Sequence, residues 1–334
     1  MSCSLSLLTF SDLSLASRKL PLTCVSPDTP IATALQTLAA NSIINLPVSS
    51  HNNPDKAYAV INILDLVSYM TRKRSGSFSD LSPASSPTSV SDSALFLSDP
   101  VELVLSLDPD DESYMVFEKD LHDTVHETLE AFTTGLHRAL ITDITGKEKP
   151  YLLGQTDILF YVSQNYSKHS FAVDISTTQV ATIAKSKPTT DCSTCVDTAA
   201  ASTPAPSYMS GAVVCTTTQQ TAQQAFAHLV KHGVRAAPIV DAHGAVIAVI
   251  SVKDLRRLTG DTLASLSKPV VEFLKDHASN GLDPLLVNKP TTLLESINLL
   301  LKNHMHHLWL VDAENRPTGV VSHSDIIAAL IGVE

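Results

Sequence analysis

The sequence predicts an α/β (α+β) chain built from four copies of one helix–strand–strand–helix unit, and three patterns predict it. Residues 233 to 257 and 304 to 328 align so that Asp241 falls on Asp312, Ser251 on Ser322 and Asp254 on Asp325. Two weaker copies, at 43 to 70 and 137 to 162, place Asp65 and Asp157 where Asp254 stands. Ahead of each copy runs a segment whose apolar residues recur at helical spacing. A unit that cannot bury its own apolar face must pack against another, so the repeat carries the fold.

In chain order, the helical stripes are Ile31, Ala34, Leu35 and Leu38; Val125, Leu129 and Phe132; Ala222, Ala225, Phe226 and Leu229; and Leu293, Leu294, Ile297, Leu300 and Leu301. The runs AAPIV and AVIAVIS, parted by Asp241-Ala242-His243-Gly244, predict two buried strands and a turn, and the other repeats follow that plan. A second helix begins at each of Asp65, Asp157, Asp254 and Asp325. The stretch 71–93 is rich in Ser and Pro and predicts a mobile insert. A second such stretch marks a division, giving a first module at 10–172, a low-complexity linker at 173–207 and a second module at 208–334. The apolar parts of 94–121 are expected to lead into repeat two.

The order of elements, the Gly233-Val234-Arg235-Ala236-Ala237-Pro238 run and the Ser-x-x-Asp at the strand-to-helix junction resemble CBS domains (cystathionine-beta-synthase domains), which pair into Bateman modules. Four such repeats with little else resemble the nucleotide-sensing gamma subunit of AMP-activated and Snf1-related protein kinases. The likeness is strong in repeats three and four, fair in repeat two and poor in repeat one. It implies two Bateman modules, repeats one and two in the first and three and four in the second.

At a strand-to-helix junction the unpaired backbone N–H groups favour an anion, and a nearby hydroxyl adds a donor. Ser251 and Ser322 end strands, while Asp254 and Asp325 enter helices. Such a carboxylate can accept two hydrogen bonds from a ribose diol, or it can simply cap its helix. Both readings stand on the residues alone, and the register with upstream basic residues favours the first. The family resemblance implies phosphate contacts for Arg235, His137, Arg138 and His306, and the arginine fork suits phosphate oxygens. His307 stands where the family has arginine, which weakens the fourth site. Lys253 and Ser324 occupy one equivalent place, within reach of a phosphate or on a solvated first turn. Repeat two keeps Thr156 and Asp157 but has Gly154 in place of the first hydroxyl. Repeat one has Ile44 in the basic position and Asn62 in the serine position, so its own site reads as degenerate and Asp65 as a cap.

With 334 residues, 44% of them apolar, the chain can bury a sizeable core. Its net charge of −11 disfavours a general nucleic-acid or acidic-membrane surface, so an anionic ligand needs a local pocket. The five cysteines are too scattered for a disulfide framework and indicate a reducing compartment; Cys192 and Cys195, the one pair at ligand spacing, read as linker residues. The mildly apolar N-terminus is a poor secretory signal, and no run is long enough to span a membrane. A cytoplasmic or nuclear location is expected.

Ser322, His323 and Asp325 stand too close on one turn for a hydrolytic triad, and no glycine-rich nucleotide loop appears. The expected protein is therefore not an enzyme and needs no catalytic cofactor or metal. It is a regulatory subunit that takes AMP, ADP or ATP and reports to the catalytic and scaffold subunits of a protein kinase. A stand-alone regulator of another enzyme with an adenosyl ligand, and a scaffold that binds nothing, are the alternatives. In the insert, Arg72-Lys73-Arg74 precedes Ser75 and Ser77 at a spacing basophilic kinases read, and Ser82-Pro83 and Ser86-Pro87 suit proline-directed ones; a plain solvated linker is the rival reading for each serine.

Overall fold

The computed structural model describes residues 3–19, 22–75, 96–105, 116–184, 213–278 and 281–333. Ser77, Ser82, Ser86, Cys192 and Cys195 lie outside the described residues, and Ser75 closes the helix Ile63–Ser75. The two predicted strands of each repeat are present and pair antiparallel: Asn45–Ser50 with Asn53–Asn62, Arg138–Thr142 with Tyr151–Gly154, Ala236–Val240 with Val246–Ser251, and His307–Val311 with Pro317–Ser322. Each hairpin follows a helix that buries most of the predicted stripe, Ile31–Ala40, His126–Thr133, Ala222–Lys231 and Leu293–Lys302, with Val125 buried as an N-cap and Leu294 and Leu301 partly buried.

Two additions escape the periodicity. In repeats two, three and four a strand of two or three residues (Glu118–Asp120, Thr216–Thr217, Leu286–Val287) lies parallel to the first hairpin strand, and Val25 bridges Val48 in the same sense in repeat one. Segments so short show no alternation to read. The second correction concerns repeat three, where the predicted final helix shrinks to one 3₁₀ turn, Val252–Leu255. Thr259 then starts a new 3₁₀ segment, Gly260–Ser267, its N–H donating to Thr262 Oγ1 at 2.9 Å, and the α-helix Val270–His277 follows.

One local device sets where each first strand begins. Every first helix stops on a residue in the left-handed region: Ser42 at φ 52°, Gly135 at 115°, Gly233 at 62° and His304 at 53°. The next N–H reaches back to a carbonyl of the last turn in all four: Ile43 to Leu38 at 3.0 Å, Leu136 to Ala131 at 3.1 Å, Val234 to Leu229 at 3.0 Å and Met305 to Leu300 at 2.9 Å. This closure satisfies carbonyls the helix would leave open and turns the chain sharply. The residue two places after the left-handed one is Ile44, His137, Arg235 or His306, so the closure fixes the basic position of the repeat.

By contacts the chain forms two compact units: Met1–Leu22 with Val116–Ser186 and Leu285–Glu334, and Thr23–Met115 with Lys187–Pro284. The first unit holds repeats two and four around one core, in which Leu129, Phe132 and Leu159 accompany Ile297, Leu300 and Ile326. The second holds repeats one and three, with Leu35, Leu38 and Leu66 accompanying Phe226, Leu229 and Phe273. Each stretch 10–172 and 208–334 thus contains one repeat from each unit. The segment expected to lead into repeat two is divided: Val101 and Val104 are buried in the core that contains repeat one, while Glu118–Asp120 joins repeat two. The beginning of the expected linker is folded as well, since Ile175 and Val180 are buried and the Val180 N–H donates to Thr291 O at 2.8 Å. Ahead of the repeats, Leu5, Phe10, Leu13 and Leu15 enter the core of the first unit.

Two outcomes follow. A side chain in the left-handed region costs about 1–2 kcal/mol, so urea melts should show Gly233→Ala destabilised by about 1 kcal/mol and Ser42→Gly and His304→Gly stabilised by up to that amount. A fragment 208–334 leaves the Phe226 and Leu300 faces without the partner repeats that complete their cores, and on gel filtration it should self-associate or melt well below the full chain. A monomeric fragment as stable as the full chain would instead favour the contiguous modules.

Candidate functional site

The four equivalent strand-to-helix corners are built alike. In each, Oδ2 of the repeat aspartate accepts the backbone N–H three residues earlier, at 2.7 Å: Asp65 from Asn62, Asp157 from Gly154, Asp254 from Ser251 and Asp325 from Ser322. The serine hydroxyls of Ser251 and Ser322 donate to the same oxygen at 3.1 and 2.6 Å. The capping role is therefore real in every repeat. Asp254 and Asp325 are buried, at 7% and 6% exposure, as structural caps on a surface would not need to be.

Strand register brings the basic residues to these corners. Arg138 pairs across the hairpin with Gly154, His307 with Ser322, and Ala236, next to Arg235, with Ser251. The N–H that opens the turn after Ser251 donates to Arg235 O at 3.0 Å. Repeat two explains its missing hydroxyl: a Cβ on Gly154 would run into the Arg138 guanidinium, so the arginine uses the space a serine would take. In repeat one the positions hold Asn45 and Asn62, which hydrogen-bond each other at 2.9 Å, and Asn62 Oδ1 also accepts the Leu64 N–H at 2.9 Å. That corner is closed by amides and brings no basic side chain to either position.

The first unit brings together nine of the predicted residues: His137, Arg138, Thr156, Asp157, His306, His307, Ser322, Ser324 and Asp325. Here the helix starts of repeats two and four meet. Thr156 Oγ1 lies 3.4 Å from His306 Nε2 and 3.5 Å from His323 Nδ1, and the two imidazoles are 4.7 Å apart. Gln155 Nε2 donates to Ser324 Oγ at 2.8 Å and to Phe132 O and Leu136 O at 3.0 and 3.2 Å. Two helix N-termini side by side, with arginine and histidines around them, concentrate positive potential where a phosphate could sit. Ser322 spends its hydroxyl on Asp325 while the buried His323 faces Thr156 and His306, so these three do not line up as nucleophile, base and orienter. Arg235, Ser251, Lys253 and Asp254 belong to the second unit. Of the residues in repeats three and four, Ser322 and Asp325 thus lie in one unit and Arg235, Ser251 and Asp254 in the other.

Four residues at these corners were not picked out from the sequence as site residues. Lys19 Nζ pairs with Asp157 Oδ2 at 2.6 Å, both side chains largely covered, from 138 residues away in a segment outside the repeats. Gln155 and the 2%-exposed His323 read as helix residues until the two corners are seen to face each other. In the second unit, Arg256 is a further cation near Asp254: burial lowers its guanidinium pKa and Asp254 opposes that shift. Burial pushes the Tyr151 phenol up to about 12, and the charge of Asp157 adds to it.

The profile of the CBS domain family matches residues 206–261 and 279–332. A protein of Thermofilum pendens, described as an uncharacterized 33.4 kDa protein in a ribosomal RNA operon, is 30% identical over 118 residues, 31% of this chain and 37% of that one. The chain thus spans little more than a third of that relative. Protein MJ1225 of Methanocaldococcus jannaschii, described as a proposed archaeal homolog of g-AMPK, is similar in structure with a TM-score of 0.63 at 15% identity, over 96% of this chain and 99% of its own. The CBS domain protein PAE2072 of Pyrobaculum aerophilum, solved with AMP, is 16% identical with a TM-score of 0.32, over 47% of this chain and 99% of its own. The chain carries a pair of CBS domains, at 206–261 and 279–332, within a mixed α/β fold whose two upstream strand pairs repeat the same order of elements.

Proposed function

We propose that this chain is a regulatory protein of four CBS repeats that binds adenine nucleotides and reports their level to a partner protein kinase. The observation that carries the reading is the corner where repeats two and four meet: Arg138 across from Gly154, His306 and His323 on Thr156, and the carboxylates of Asp157 and Asp325 behind them. Helix N-termini and basic side chains suit phosphate, and the carboxylates suit the ribose diol. The cap and ribose readings are compatible, because a carboxylate offers about four acceptor sites over its two oxygens and the cap N–H takes one of them on Oδ2. AMP, ADP and ATP would share the corner and differ in the phosphates that reach Arg138 and the histidines, shifting the balance of states the partner sees. Arg235, Ser251, Lys253 and Asp254 supply the equivalent chemistry in the second unit. No helix among the described residues is long and apolar enough to cross a membrane, which fits a cytoplasmic or nuclear regulator.

Calorimetric titration of the full chain with AMP, ADP and ATP tests the reading, and the bound nucleotide should also raise the melting temperature. Losing a hydrogen bond to a charged group costs about 1.5–3 kcal/mol, so Asp157→Ala and Asp325→Ala should each weaken one site by about tenfold or more. Asp65→Ala should lose cap stability of about 0.5–2 kcal/mol and no affinity. The absence of both heat and thermal shift with all three nucleotides would defeat the proposal.

Gly154 provides a sharper test of the phosphate side. Gly154→Ser should displace the Arg138 guanidinium and weaken binding about as much as Arg138→Ala, with little change in stability, because the far end of an arginine moves easily. Equal affinity in wild type and Gly154→Ser would remove Arg138 from the site. For the partner, purification from native cells should recover a kinase catalytic subunit; recovery of a different enzyme would select the stand-alone regulator.

A further inference from the structure

The helix Ala222–Lys231 ends with two histidines one turn apart, and the site proposed above uses neither. His228 lies in the last turn and His232 is the C-cap, at φ −97°, ψ 3°. Residues four apart share one helix face, and the two rings lie 4.4 Å apart with their planes at 56°. Nε2 of His228 and Nε2 of His232 are both buried and have no hydrogen-bond partner among the described residues. The His228 ring donates to the backbone carbonyl of Cys215. Since Nε2 has no partner, Nδ1 is the donor, and Nε2 carries the lone pair.

That is the preparation a metal-ligating histidine shows: one nitrogen held by a carbonyl, which fixes the tautomer and aims the other. Two buried ring nitrogens without partners are costly to leave so. We propose that His228 and His232 form a two-nitrogen site for a late first-row divalent cation of the Zn²⁺, Ni²⁺ or Cu²⁺ class. Paired histidines at this helical spacing suit such ions, whose remaining positions take water or an external ligand. Three further facts fit. A cation at the last turn sits at the negative end of the helix dipole. His228 is held neutral, its pKa lowered to about 4 mainly by burial and further by His232 and Lys231, and that of His232 is lowered by burial and Lys231, so both rings are ready to ligate at neutral pH. His232 is half-buried at the helix end, so a small movement of its ring would admit the ion. The chelate would close one residue before Gly233 and three before Arg235, bracing the turn that delivers that arginine.

The test uses the full chain with thiols blocked, so that Cys192, Cys195 and Cys215 do not compete, and ZnCl₂ alone as titrant. One equivalent of Zn²⁺ should bind and raise the melting temperature, and His228→Gln and His232→Gln should each weaken it by about tenfold or more. Electron paramagnetic resonance of the Cu²⁺ form should show nitrogen ligation that disappears in the double variant. His51→Gln serves as control, because the exposed group Asp28, His51 and Glu102 is another cluster with ligand atoms close together. His232→Gln, changed at a half-buried cap, decides the matter if His228→Gln does not fold. The proposal fails if the folded wild type takes up no Zn²⁺, if His232→Gln binds as tightly as wild type, or if the uptake follows His51.

Discussion

Everything at the candidate sites hangs on one hydrogen bond made four times, from the backbone N–H at the end of a strand to the carboxylate three residues on. It closes the strand-to-helix corner, satisfies a donor the helix start would leave open, and holds the aspartate in one rotamer. The same bond restricts what the aspartate can do next. In repeat two Oδ2 already takes the Gly154 N–H and the Lys19 ammonium, and in repeats three and four it takes the N–H and hydroxyl of one serine. Under the proposed reading the same carboxylate would serve both the cap and the ligand, so removing it should move stability and affinity together, and Asp65, which makes the same cap in the corner closed by Asn45 and Asn62, serves as the reference.

The second constraint acts at the other end of the first strand. A left-handed residue and its backward hydrogen bond end each first helix at the same point, so the basic position always falls two residues later and the hairpin carries it to the corner. The repeats therefore differ in chemistry while sharing geometry. Repeat one keeps the closure, with Ser42 in the strained place, but fills the corner with Asn45 and Asn62 bonded to each other. Repeat two trades the serine hydroxyl for the arginine fork across Gly154. A change of two or three side chains separates the corner sealed by paired amides from the corner that receives an arginine.

Periodicity and register made the repeat unit legible, because a buried stripe at helical spacing and a doubled apolar run have few other foldings. The corner residues were legible for the same reason: Ser251, Asp254, Ser322 and Asp325 keep their places relative to the hairpins. Which repeats share a core was not. The stripes of Ala225 and Leu229 and of Ile297 and Leu300 are alike in composition, and nothing in an apolar residue names its partner. The Ser- and Pro-rich stretches suggested contiguous modules, whereas the two cores join repeats one with three and two with four. Lys19 was invisible because its role depends on contact across 138 residues. The short parallel strands were missed because two residues carry no pattern, and the helix after Asp254 was overread because the capping chemistry of Thr259 interrupts it.

Charge separates the two units. The chain as a whole carries −11, so the mean field repels nucleotides and any attraction must be local. In the first unit the side chains gathered at the corner are largely imidazoles, with His137, His306, His307 and His323 beside Arg138 and Lys19. In the second they are Arg235, Lys253 and Arg256. A neutral imidazole donates through one ring nitrogen and accepts through the other, while guanidinium and ammonium only donate. Two corners built by the same cap and the same helix stop are thereby given different hydrogen-bonding chemistry.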